Sequence, residues 1–209
     1  MLMNYDTIIF DIDGTLWNAC PASAKGWNLG LASLGIDARV TAQQIEGVAG
    51  HPYATCVEML LPGLQEQYPD LLDTLNNREI EVVKTDGGTL YEGVTEGIKI
   101  LANSYKVFLV SNCQDWYMKI FLEFSGLEPF LTSFDCHGMS GLPKDQMLSR
   151  IQRTYCLHTP VYVGDTEGDE SAARVAGMDF IHVSYGFGSA ASAVKHVDSF
   201  SALLDYLEG

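Results

Sequence analysis

The run Asp11-Ile12-Asp13-Gly14-Thr15-Leu16 carries two carboxylates at positions i and i+2, close enough along the chain to converge on one small volume. An Asp-Gly pair taken alone is an ordinary turn former. A calcium loop of the EF-hand kind fits poorly: Thr15 stands where the third ligand should be Asp or Asn, and Leu16 stands where glycine is required. Three further groups follow downstream. Ser111-Asn112 joins a hydroxyl to backbone N–H groups that can bind phosphate oxygens at a helix N-terminus, although such a pair is also a common helix cap. Lys144 opens a helix-like segment after the loop Gly138 to Pro143, where an isolated lysine is usually surface charge. Gly164-Asp165-Thr166-Glu167-Gly168-Asp169 forms a second acidic cluster, in which a lone Asp would read as a cap. Acidic pair, hydroxyl, lysine and second acidic pair thus occur in order, at or near successive strand ends, so one site can collect all of them.

Positioning such a site requires a sheet. Thr7 to Phe10 is a short apolar, β-branched run that stops at Asp11, the pattern of a buried parallel strand ending in a functional loop. Lys106 to Val110, Val161 to Val163 and Phe180 to Val183 are similar. Thr95 to Asn103, Gln114 to Ser125, Lys144 to Tyr155 and Glu167 to Ala176 have helical composition and length. The alternation predicts an α/β fold: a parallel sheet with helices on both faces, binding its ligand at the carboxyl ends of the strands. From Trp17 to Asp86 the alternation lapses, and no convincing strand interrupts the helix-like segments Pro21 to Leu34, Thr41 to Val48, Tyr53 to Leu60 and Leu71 to Lys84. This predicts an all-helical insert of about 65 to 70 residues after the first strand. The division expected is a core of residues 1–16 and 89–209 with a helical cap of residues 17–88, hinged at Trp17 to Cys20 and Asp86 to Gly88.

Composition narrows the partners. The 209 residues are 47% hydrophobic and 19% charged, a globular composition, and the formal net charge of −15 opposes binding to nucleic acid or an anionic membrane. It equally repels phosphate, so a phosphate site needs local cations. Cys20, Cys56, Cys113, Cys136 and Cys156 show neither zinc-site spacing nor a secreted disulfide framework. With no basic and apolar leader over Met1 to Asp6 and no apolar stretch of spanning length, the expectation is a cytoplasmic monomer or homodimer acting on a small phosphorylated metabolite.

The stretches Asp11 to Leu16, Leu90 to Val94, Gly126 to Leu127 and Val161 to Gly188 together resemble the haloacid dehalogenase superfamily, in its phosphoglycolate phosphatase-like branch with a helical cap. The resemblance implies a Rossmann-like core and a Mg²⁺-dependent phosphatase working through an aspartyl-phosphate on a phosphoglycolate-like monophosphate. It gives Asp11 the role of nucleophile, Asp13 that of acid and base, and Ser111 and Lys144 that of phosphate binders, assisted by Gly14, Thr15 and Asn112. The metal falls to Asp11, the backbone carbonyl of Asp13, Asp165 and Asp169. Two departures from the family pattern stand out: Pro143 precedes Lys144 instead of following it, and Trp17-Asn18-Ala19 continues the first motif without an acidic or hydroxyl residue.

Elementary electrostatics asks for the same roles. Carboxylate attack on a phosphate dianion needs intervening positive charge, and hard carboxylate oxygens favour Mg²⁺. Asp13 must hold a proton for the leaving alkoxide and later take one from water. Dehalogenase or phosphonate-cleaving chemistry fits less well, because members of the superfamily with those reactions lack an acid at the position of Asp13. A phosphosugar mutase would need a second phosphate held by the cap loop Gly47-Val48-Ala49-Gly50-His51, which contains no Lys or Arg. A catalytically idle phospholigand-binding regulator would waste a complete set of chemical groups. Specificity is expected in the loop Gly47 to Tyr53, through His51 and Tyr53. The remaining histidines, Cys113, Trp27 and Trp116 are expected to pack or to face solvent.

Overall fold

The computed structural model describes residues 5–209, so the first four positions of the expected core lie outside it. Among the described residues the strands are β1 (Thr7–Phe10), β2 (Trp17–Asn18), β3 (Thr89–Leu90), β4 (Lys106–Ser111), β5 (Ser133–Cys136), β6 (Pro160–Gly164), β7 (Asp179–Val183) and β8 (Lys195–Val197). Six of them form a parallel sheet in the order β5-β4-β1-β6-β7-β8. Strand alternation divides its side chains between two apolar layers, as a sheet covered on both faces requires. Ile8, Phe10, Leu109 and Val163 pack beneath the helices Val94–Leu101, Asp115–Ser125 and Phe200–Glu208, while Ile9, Phe108 and Tyr162 pack beneath Lys144–Thr154 and Glu167–Ala176. The fold is the α/β architecture that the alternation predicts, with the Rossmann-like core that the resemblance implies.

β1 lies in the middle, with β4 on one side and β6 on the other. The chain therefore leaves β1 toward opposite halves of the sheet, which opens a crevice at its carboxyl end. Asp11, Ser111 and Asp165 all occur at that edge.

Between β2 and β3 the described chain is helical: Cys20–Ser33, Ala42–Glu46, Tyr53–Leu60, Leu64–Gln67 and Leu71–Asp86. These helices bury a core of their own around Trp27, Leu31, Val57, Leu71 and Leu75. Cys20–Ser33 and Leu71–Asp86 run antiparallel with glycines at the crossing. A Cβ on Gly26 would strike the backbone of Arg78 and Glu79, and one on Gly30 would press on Leu75. Thr41 begins its helix with a capping box to Gln44.

Several elements depart from the sequence reading. The expected hinges are joined by a two-stranded antiparallel ribbon, Trp17 opposite Leu90 and Asn18 opposite Thr89, too short to show a period of two in the sequence. Trp17 is buried there, edge-on to Tyr117 and Phe121. The edge strands β5 and β8 read Ser-Phe-Asp-Cys and Lys-His-Val, polar enough to escape a search for buried apolar runs. Among the described residues no helix is long and apolar enough to cross a membrane.

The glycine crossing sets two effects in opposition. In a free helix Gly26→Ala would gain about 1 kcal/mol of propensity. Here the collision should win and leave the variant less stable by roughly 1–3 kcal/mol, measurable by urea unfolding. A stabilised variant would mean that the two helices do not pack as closely as described.

Candidate active site

Asp11 prolongs β1 by one hydrogen bond, its N–H donating to Val163 O at 2.9 Å, before the chain turns. The turn wraps around the Ile12 carbonyl, which accepts from the N–H groups of Thr15, Leu16 and Trp17. Gly14 takes φ +74° at its apex, and a Cβ there would collide with the Asp165 carboxylate. The Asp-Gly step thus lets the first acidic motif lie against the second. Thr15 is fully buried, with Oγ1 3.5 Å from Asp165 Oδ1.

Lys144 is the first residue of its helix and reaches inward, its side chain 5% exposed. Its Nζ donates to Asp169 Oδ1 at 2.5 Å and lies 3.1 Å from Oδ1 of Asp11, which is itself 1% exposed. The second approach pairs the charges without the alignment of a hydrogen bond, so Asp11 Oδ1 is buried with no hydrogen-bond partner. Proline before this lysine rather than after it leaves Lys144 in the site. Asp169 is held by a capping box: Thr166 N and Oγ1 donate to its Oδ2 at 3.0 and 2.7 Å, and Asp169 N donates back to Thr166 Oγ1. Asp165 Oδ2 accepts from Phe187 N at 2.7 Å. Asp11, Asp165 and Asp169 each present an oxygen within 4.8 Å of the others. Three hard, buried carboxylates at that spacing, one with an orphaned oxygen, fit a small divalent cation.

Burial dominates the electrostatics. It pushes the Asp11 carboxyl up to about 6, with Lys144 pulling back and Asp169 adding repulsion. Asp165 is pushed up to about 8 by burial, then by Asp169 and Asp11. For Asp169 burial also acts upward, but the charge and hydrogen bond of Lys144 and the bonds from Thr166 outweigh it, leaving its pKa below the usual value. The Lys144 ammonium is disfavoured by burial and more than restored by Asp11 and Asp169, so it stays charged.

Asp13, partly exposed, lines a cavity beside this cluster and accepts a hydrogen bond from Tyr117 on Oδ1. Burial raises its carboxyl to about 7, against the downward pull of that bond. Ser111 is buried at the end of β4, and Asn112 reaches across to the inserted helices, its Nδ2 donating to Gly50 O at 2.7 Å. His51 and Tyr53 line the same cavity of about 80 Å³ between the sheet edge and the inserted helices. Trp27 and Trp116 do pack, but both also line this cavity, because the helices that carry them form its walls. Histidines far apart in sequence do meet: His182 Nδ1 lies 3.1 Å from His196 Nδ1 across the β7–β8 pair, and His182 Nε2 is 3.1 Å from Asp165 O. Sequence reasoning missed Tyr117, Trp27 and Glu79 as cavity residues. Tyr117 sits in the first turn of the helix after the Ser111 loop, a position that could have drawn notice; Glu79 carries no local signal.

Comparison with known proteins agrees with this geometry. The haloacid dehalogenase-like hydrolase profile matches residues 8–183. A phosphoglycolate phosphatase of Psychrobacter arcticus is 28% identical over 225 residues, spanning 98% of this chain and 96% of its own. One from Nitrosospira multiformis is 30% identical over 194 residues, spanning 86% and 83%. Among solved structures, a haloacid dehalogenase-like family hydrolase from Streptococcus pneumoniae shares the fold with a TM-score of 0.82 at 18% identity, over 97% of this chain and 98% of that one. A predicted phosphoglycolate phosphatase from Haemophilus somnus does so with a TM-score of 0.83 at 19% identity, over 97% of each chain. The chain belongs to the haloacid dehalogenase-like hydrolase family.

The Tyr117 hydrogen bond favours the ionised form of Asp13, so its loss should raise the Asp13 carboxyl further. A bond worth about 1 kcal/mol corresponds to roughly 0.5–1 pH unit. Carbon-13 NMR titration of the Asp13 carboxyl in Tyr117→Phe should show that upward shift. A downward shift, or none, would contradict the hydrogen bond as described.

Proposed function

We propose that this hydrolase is a Mg²⁺-dependent phosphatase that cleaves a small phosphorylated metabolite through an aspartyl-phosphate formed on Asp11. The observation that carries the reading is the buried Lys144 ammonium held between Asp11 and Asp169 at the carboxyl end of the central strand. Asp11 and Asp165 would hold the ion, with Asp169 in the same cluster and the Asp13 carbonyl as a further ligand. Bound there, Mg²⁺ would offset the charge of the phosphate dianion.

The protein groups divide the remaining work. An Asp11 oxygen attacks phosphorus, and the bond from phosphorus to the leaving oxygen breaks. Asp13, with its carboxyl raised to about 7, holds a proton near neutrality and delivers it to the departing alkoxide. Water then attacks the phosphoaspartate; Asp13 takes its proton, inorganic phosphate leaves, and Asp11 is regenerated. Lys144 neutralises the phosphoryl oxygens, while Ser111, Asn112, Gly14 and Thr15 surround them. Residues 17–88 act as a cap on the core of 1–16 and 89–209. The cap loop at Gly50 and His51 closes over the phosphate and keeps bulk water from the bound ester. A small substrate suits both the 80 Å³ cavity and the phosphoglycolate named for the relatives.

The direct test is phosphate release from a panel of phosphorylated metabolites and an aryl phosphate. Release should require Mg²⁺, stop with chelator and vanish in Asp11→Asn with the fold intact; full activity in chelator, or in that variant, would overturn the proposal. Asp13→Asn should lower turnover by roughly 10² to 10⁴, the worth of general acid–base catalysis. The loss should be larger for an alkyl than for an aryl ester, because an aryl leaving group needs less protonation. Equal losses would remove Asp13 from that step.

A further inference from the structure

The cavity beside Asp13, between the sheet edge and the inserted helices, carries an unusual charge pattern. Asp13 and Ser111 stand at its sheet end, and Glu79 stands at the end formed by the inserted helices. Among the described residues that line it there is no Lys or Arg; His51, on the exposed loop, is the one group able to become cationic. Glu79 is 6% exposed, and its Oε2 accepts from Trp27 Nε1 at 2.6 Å. Ser23 and Tyr53 lie beside it as further polar partners that favour the carboxylate, against burial, which raises its carboxyl above the usual value. An indole N–H can only donate, so Trp27 fixes one carboxyl oxygen as an acceptor. Glu79 is also placed by the backbone, because Gly26 lets the helix Cys20–Ser33 pack directly against the Glu79 main chain.

A carboxylate or second phosphate on the leaving group would have to shed water in this space with no Lys or Arg to meet it, and would face Glu79 as well. Burying an unpaired charge is strongly unfavourable, whereas a cation or hydroxyl arriving at a buried carboxylate supplies a charge-assisted bond. We propose that Glu79 is the specificity-determining residue, selecting monophosphate esters of small alcohols that bear a protonated amine, or failing that a hydroxyl, and rejecting those that bear a carboxylate. The inference rests on the phosphatase reading above and narrows its substrate class. It departs from the anionic glycolate group in the substrate named for the relatives, although the size is similar.

Three nearly isosteric esters isolate the charge: 2-aminoethyl, 2-hydroxyethyl and carboxymethyl phosphate. In the wild-type enzyme with Mg²⁺, kcat/KM should fall in that order, with the first and last differing by at least about 100-fold, a span of roughly 2.7 kcal/mol. Glu79→Gln, which keeps shape and removes charge, should compress that ratio by about tenfold or more, mainly by weakening the aminoethyl ester. A wild-type preference for the carboxymethyl ester, or an unchanged ranking in a folded Glu79→Gln, overturns the assignment. Hydrolysis of the aryl phosphate tests the phosphatase reading separately. Equilibrium affinities of the same esters for Asp11→Asn, measured by calorimetry, decide the selectivity without turnover and without the Glu79 variant: the aminoethyl ester should bind most tightly, and tightest binding of the carboxymethyl ester overturns the inference.

Discussion

One buried ammonium faces three buried carboxylates. Lys144 lies within ion-pair distance of Asp11 and Asp169, and Asp165 shares their cluster. Burial raises the carboxyls of Asp11 and Asp165, and the repulsion among the three acids adds to it, so the cluster resists having every group ionised. Breaking such a pair by removing one partner typically costs about 3–5 kcal/mol, since the other charge is left stranded. The rest of the core serves this arrangement. β1 and β6 bring Asp11 and Asp165 to one edge, Gly14 lets the two acidic loops touch, and the Thr166 capping box fixes the carboxylate that anchors the lysine.

The inserted helices solve a different problem. On the proposed mechanism the cluster residues would contact what every phosphate ester has in common, and discrimination would come from the walls beyond Asp13. Those walls are built by helix packing: the glycine crossing brings Glu79 and Trp27 to the cavity, and Asn112 bonded to Gly50 draws the loop toward the sheet. Asn18, in the ribbon, donates to Glu46 at 2.9 Å and ties the stem to the same helices.

Much of the core was legible because its signals are local. Thr7 to Phe10 is a continuous β-branched run bounded by acid, and the helix at Glu167 starts with a capping box written in four residues. Asp11 and Asp165 could be singled out because each follows a strand of the parallel sheet, and Lys144 and Asp169 because they stand in the first turns of helices on the same side. What could not be read depends on long-range packing or on elements too brief to have a period. The ribbon strands are two residues each, and the edge strands β5 and β8 mix polar with apolar residues. Glu79 looks like any solvent-facing acid until its helix crosses Cys20–Ser33, and His182 and His196 become neighbours only when β8 joins the sheet. Trp17 read as a break in the motif, yet it is the buried anchor of the stem against Tyr117 and Phe121.

The central claim is that the carboxylate cluster is short of positive charge and that a divalent cation supplies it. Isothermal calorimetry of Mg²⁺ binding, without substrate, tests this most directly. The account predicts one site per chain in the wild type, with affinity reduced at least about tenfold in Asp165→Asn, since a ligand and a charge are lost together. Saturating Mg²⁺ that gives no binding heat and no rise in the unfolding temperature, or an Asp165→Asn variant that binds as tightly as the wild type, would contradict it.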